Sequence, residues 1–199
     1  FSINDETVFY DIGANIGAYS LVASKFAEGN IKIYAFEPSF VNYYQLNKNI
    51  ILNNSQNSII PMNLALSSNN SLDKFNYSTL ASGAAAHAFG EPIDETGEIF
   101  QPENISMMHC YKLDDLIKKF GLLSPTHLKI DVDGIEWHVL VGAKETLKSR
   151  QLKHLVVEII YEEEANKFIE FLNKFGFKFI SRHAYTGISP GFNYIFKKK

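Results

Sequence analysis

Three acids stand where an α/β chain places its chemistry: Asp11, Glu37 and Asp131 each close a short apolar, β-favouring run. Asp11 follows Val8, Phe9 and Tyr10, and Gly13, Asn15 and Gly17 come after it at every second position. The glycines permit a sharp turn and let a ligand approach where a Cβ would collide. Such turns offer helix N-terminal amides to a pyrophosphate. An acid in that mouth repels a diphosphate but accepts from an ammonium group, which favours a zwitterionic nucleoside such as S-adenosylmethionine over NAD. Glu37 closes Ile31 to Phe36, about twenty residues past the glycine turn, where a carboxylate can accept both hydroxyls of a ribose diol. The plain alternative is a solvated acid at a strand end. Pro38 suits the first helical turn after it.

Asp131 ends HLKIDV, on the carboxyl edge where ligands of open α/β sheets bind. It reads as a general base for an alcohol acceptor, or as an orienter of the methionine end of the nucleoside. Asp133 follows two residues on, and Glu136 opens the next helix, where an acid can serve only the helix dipole. Asp131, Asp133 and Glu136 together could hold magnesium, with Asp131 and Asp133 as the ligand pair. One local segment rarely supplies the required geometry, so no metal is expected. His87, His109 and His138 follow no ligand or triad spacing and read as structural or exposed. Trp137 reads as packing, Glu162 to Glu164 as a solvated helix start, and Cys110 as a buried thiol without a partner motif. Lys197 to Lys199 form too short a basic run to argue for nucleic acid.

These residues need a strand, a turn and a helix behind each of them, and the periodicity supplies all three. After Gly17, Ala18, Leu21, Val22 and Phe26 fall on one helical face. Ser39 to Asn53 predicts a helix with Tyr43, Leu46 and Ile50 inward, and Ser58 to Leu66 a third strand leading into a loop. The end of that strand would lie near an adenine, with Asn63 and Ala65 as contacts. Leu72 to Tyr77 predicts part of an added hairpin. Residues 78–105 lose periodicity and become a lid, part of an acceptor pocket, or a surface insertion. Further on come a strand at Ser106 to Tyr111, a helix at Leu113 to Phe120 and the His127 to Val132 strand. The helix after Asp133-Gly134 presents Ile135, Val139, Ala143 and Leu147, with Gly142 allowing close packing. Leu155 to Ile160 is a buried strand. Phe168, Phe171, Leu172 and Phe175 mark a helix that Gly176 stops. Phe177 to His183 and Phe192 to Phe196 close the chain as an antiparallel hairpin.

At 199 residues, 46% of them hydrophobic and 21% charged, the chain reads as one soluble domain, 1–199. A net charge of −3 gives no general reason to bind nucleic acid, and a single cysteine fits a reducing, cytoplasmic setting. No apolar run reaches the roughly 20 residues of a membrane span. The chain starts at Phe1 and enters a strand almost at once, so an upstream element is expected to be missing.

The segments VFYDIGANIGAYSL, YAFEPS, NLALSS, LDDL, LKIDVDGIEWHVLVGA and VVEI resemble the FkbM-type family of S-adenosylmethionine-dependent methyltransferases. Asp133 stands where that family usually has glutamate. The resemblance implies a Rossmann-like class I methyltransferase fold. This is a seven-stranded, mostly parallel sheet with a C-terminal antiparallel hairpin and helices on both faces. It also implies methyl transfer from S-adenosyl-L-methionine, commonly to a hydroxyl of a sugar, glycan or small metabolite. Carried onto this sequence, the cofactor-binding residues are Asp11, Gly13, Asn15, Gly17, Glu37, Pro38, Ala65 and Asp131, with Asp131 also the catalytic candidate. A nicotinamide-dependent oxidoreductase is disfavoured because GANIG lacks the G-x-G-x-x-G spacing. A nucleoside-binding module without catalysis remains the non-enzymatic alternative.

Overall fold

Val8–Ile12 (β1) is buried along its whole length because it is an inner strand of a sheet that helices cover on both faces. The structure is a computed structural model that describes residues 7–85, 87–94, 97–184 and 191–199. The chain then runs through helix α1 (Ala18–Phe26), β2 (Lys32–Phe36), α2 (Phe40–Leu52), β3 (Ile59–Met62), β4 (Ala65–Leu66), β5 (Ser71–Tyr77), β6 (Ala88–Phe89) and β7 (Asn104–Tyr111). After α3 (Leu113–Phe120) come β8 (His127–Ile130), α4 (Glu136–Val141), α5 (Lys144–Lys148), β9 (His154–Ile159), α6 (Ala165–Asn173), β10 (Phe177–Ala184) and β11 (Phe192–Lys198). Among the described residues seven strands form the main sheet, in the order β10-β11-β9-β8-β1-β2-β3. The five consecutive strands from β9 to β3 are parallel, and the β10–β11 hairpin adds antiparallel to β9. The expected fold is therefore present, hairpin included.

Side chains alternate between two cores. Phe9, Ile33, Ala35 and Ile59 face α1 and α2 with Leu46 and Ile50, whereas Tyr10, Ile12, Tyr34, Phe36, Leu128 and Ile130 face the other helices. The strand order reverses between β1 and β8, so their carboxyl ends diverge into a crevice. A second sheet, β4-β7-β5-β6, packs its own core of Ala65, Phe75, Tyr77, Met108 and Cys110 beside that crevice. Cys110 is buried there, and burial pushes its thiol up to about 11. No helix among the described residues is long and apolar enough to cross a membrane.

Three sequence expectations need correction. The strand expected from Ser58 is present as β3, but the loop expected after it turns at once into β4 of the second sheet. Leu64 N–H donates back to the Met62 carbonyl, and Asn63 Nδ2 donates to the Glu37 and Pro38 carbonyls, which turns the chain between them. The helix expected after Gly134 is broken into α4 and α5 at Gly142, where a Cβ would overlap the Ser67 carbonyl oxygen. The inward face of α1 is not the apolar one. Ser20 and Ser24 are buried, while Val22 and Phe26 are 69% and 70% exposed.

Candidate active site

The glycine turn is stitched to β2 before any ligand arrives. The Gly13 and Ala14 N–H groups both donate to the Phe36 carbonyl, at 3.0 and 2.9 Å. Gly13 has a φ of 75°, and a Cβ there would overlap the Asp131 carbonyl oxygen. The glycine is thus required by the contact between the β1 and β8 corners, a reason the sequence alone assigned to a ligand. Asn15, at a φ of 50°, aims its backbone N–H at Glu37 Oε2, 2.8 Å away, and Ser39 N–H donates to Oε1 at 2.8 Å. Glu37 is 5% exposed. Burial pushes its carboxyl up to about 7, while the two N–H donors pull toward the charged form. Each oxygen has accepted one bond and retains capacity for another.

The two outer acids of the sequence argument meet across one ammonium. Asp11 pairs with Lys129 in the β1–β8 register, and Lys129 Nζ lies 3.2 Å from Asp11 and 3.2 Å from Asp131. Nζ also donates to the Gly13 carbonyl at 3.1 Å and sits 4.9 Å from the centre of the Tyr19 ring. Ser20 Oγ donates to the other Asp11 oxygen at 2.7 Å, which explains why α1 turns serine inward. Asp11 accordingly does meet an ammonium, but it is the chain's own, and Asp11 does not line the cavity. Gly17 is absent from the lining too; it caps α1 at a φ of 90° against Leu46.

Asp131 does line the cavity, and a second carboxyl joins it from β9. Burial first, and then the neighbouring Asp131 with its hydrogen bond, hold the Glu158 carboxyl well above the ordinary carboxylate range. The Glu158 and Asp131 carboxyls are hydrogen-bonded to one another. Glu136, buried at the start of α4, reaches back instead: its Oε1 accepts from Val132 and Gly134 N–H at 3.0 and 3.2 Å. It closes the turn and stays out of the cavity, whereas Asp133, at a φ of 55°, lines it. Among the described residues no group of three or more His, Cys, Asp or Glu is arranged to hold a metal ion.

The cavity between the corners and the second sheet measures about 1090 Å³. Gly13, Asn15, Glu37, Pro38, Ala65 and Asp131 all line it, whereas Asn63 does not. The far wall comes from the irregular stretch after β5. Asn42 Oδ1 accepts from Gly83 N–H at 2.8 Å, and its amide donates to the Ala84 carbonyl at 2.9 Å. Asn15 Nδ2 donates to the Gly83 and Ala84 carbonyls, both at 3.3 Å, which leaves its buried Oδ1 without a hydrogen-bond partner among the described residues. That orphaned acceptor suits a ligand donor such as a hydroxyl or ammonium. His87 also lines the cavity, while the exposed His109 and His138 do not. Burial lowers the affinity of His87 for a proton, and Ser78 N–H donates to its Nδ1, so Nε2 carries the hydrogen and acts as a donor.

Sequence reasoning missed Lys129 and Glu158. A lysine inside HLKIDV was the available signal, because lysine is almost never buried unless paired. Glu158 gave none beyond its place at a strand end.

A family model described as Methyltransferase FkbM domain matches residues 11–179. The hexuronic acid methyltransferase AglP of Haloferax volcanii is 25% identical over 155 residues, covering 78% of this chain and 56% of its own length. Methyltransferase sdnD of Sordaria araneosa is 29% identical over 156 residues, covering 68% of this chain and 60% of its own. The chain thus spans less than two thirds of these curated relatives. The structure of methyltransferase FkbM from Methylobacillus flagellatus KT shares the fold with a TM-score of 0.70 at 14% identity, over 99% of this chain and 44% of that one.

Proposed function

Because the chain belongs to the FkbM methyltransferase domain family, we propose that it transfers a methyl group from S-adenosylmethionine to a hydroxyl oxygen. The acceptor would be a sugar, a glycan or a small metabolite, and AglP, named for a hexuronic acid, supports the saccharide class. The observation that carries this reading is Glu37, a buried carboxylate whose two oxygens are fixed by the Asn15 and Ser39 N–H groups at the cavity wall. A carboxylate so held is a receptor for the two donors of a vicinal diol.

S-adenosylmethionine, when bound, supplies the activated methyl group; the chain's residues bind, align and exclude water. Glu37 takes the ribose hydroxyls, Pro38 and Ala65 border the same compartment, and Asn15 Oδ1 accepts a further donor. In-line displacement depends on holding both reactants in line. Asp131 orients the acceptor hydroxyl and takes its proton late in the transfer, while Lys129 fixes where that carboxylate stands. The whole chain acts as one domain, and the cavity-lining residues between Gly83 and Gly97 form the acceptor wall.

Calorimetric titration with S-adenosylhomocysteine tests this. Glu37→Ala should lower affinity about ten- to a hundred-fold with an unchanged circular dichroism spectrum. Asp131→Asn should leave that affinity nearly intact and reduce turnover by about 10²–10⁴. Unaltered binding in a folded Glu37 variant would remove the carboxylate from the site.

A further inference from the structure

The cavity wall carries six carboxyl groups, from Glu37, Glu91, Asp94, Asp131, Asp133 and Glu158, and among the described residues one ammonium, that of Lys129. They come from opposite sides. Glu91 and Asp94 follow β6 on the second-sheet wall, and Asp133 and Glu158 lie at the ends of β8 and β9. The single ammonium is spoken for, because Lys129 has a side chain 5% exposed between Asp11 and Asp131. Burial disfavours the charged form of the His87 imidazole. Residues 1–6, 86, 95, 96 and 185–190 contain no Lys or Arg that could add a cation. Even with Glu37 and Glu158 protonated, four carboxylates face one shared lysine. A sulfonium donor brings one net positive charge, so the space left for the acceptor is negative.

Resting on the methyltransferase reading above, we infer that the acceptor hydroxyl belongs to a molecule without an acidic group, and that a protonated amine on that molecule strengthens its binding. The fitting class is a neutral or amino sugar, which departs from the hexuronic acid for which the 25% identical AglP is named. An anion entering this cavity would lose water and meet like charge without a counter-ion. A cation would be concentrated by the same field.

The test uses the chain saturated with S-adenosylhomocysteine and three probes of one shape: glucosamine, methyl glucoside and glucuronate. Their dissociation constants are read by ligand-observed NMR. At low salt glucosamine should bind at least about tenfold more tightly than glucuronate. That ratio should shrink in about 1 M salt, where the Debye length falls to about 3 Å. It should shrink as well in a Glu91→Gln/Asp94→Asn variant. Glucuronate binding as tightly as glucosamine overturns the inference. So does a ratio that neither salt nor the variant changes, or binding of none of the three probes. Failure to bind S-adenosylhomocysteine would instead count against the methyltransferase reading itself.

Discussion

Glu37 combines two demands that pull its proton in opposite directions. Burial raises its pKa from 4.5 to about 7, while acceptance of two diol hydroxyls requires the charged form. Affinity for S-adenosylhomocysteine should therefore rise with pH through about 6 to 8, and Glu37→Gln should abolish that slope. The stability effect has the opposite sign. A carboxyl with a raised native pKa binds more protons folded than unfolded, so its contribution is fully present below 4.5 and is lost as pH rises through about 7. Thermal melts of the ligand-free protein should thus flatten over that window in Glu37→Gln. Opposite slopes for binding and for stability are the signature; parallel slopes would assign the titration to another group.

At the scale of elements, β1 and β8 are joined by charge as well as by their ladder. Lys129→Met should strand Asp11 as a buried charge and cost about 3–5 kcal/mol in urea melts. An added Asp11→Asn should recover much of that loss, because the two sites couple directly. An unaltered melt in the single variant would show that the pair carries no net energy. This pairing also marks the limit of what could be read from the chain. The order of strands and helices was legible because short apolar runs alternate with glycine turns and helical spacing. Glu37, Asn15, Gly13 and Asp131 line the cavity, and each closes or follows a strand at the switch point. Asp11 was misread because its partner lies 118 residues away, and strand pairing across a reversal leaves no local trace. The face of α1 was misread for the same reason: Ser20 and Ser24 are inward because Asp11 and Ser58 are there to receive them, Ser24 and Ser58 oxygens lying 2.6 Å apart.

For the whole molecule, the two sheets share no ladder among the described residues, and side-chain amides help tie the wall beside the cavity to the main sheet. Asn42 makes two hydrogen bonds to the Gly83–Ala84 backbone. Asn42→Ala should loosen that wall, seen as faster amide hydrogen exchange over about residues 81–87, with a stability loss of about 1–3 kcal/mol. Exchange confined to wild-type rates would place the hold elsewhere, on Asn15. That residue has a double attachment: its backbone donates to Glu37 while its side chain donates to the Gly83 and Ala84 carbonyls. In the proposed reading one residue would therefore report the state of the nucleoside pocket to the acceptor wall. In steady-state terms this favours a compulsory sequence, donor first and acceptor second. S-adenosylhomocysteine should then inhibit competitively toward the donor and non-competitively toward the acceptor, and shortening Asn15 to alanine should convert the pattern to random addition.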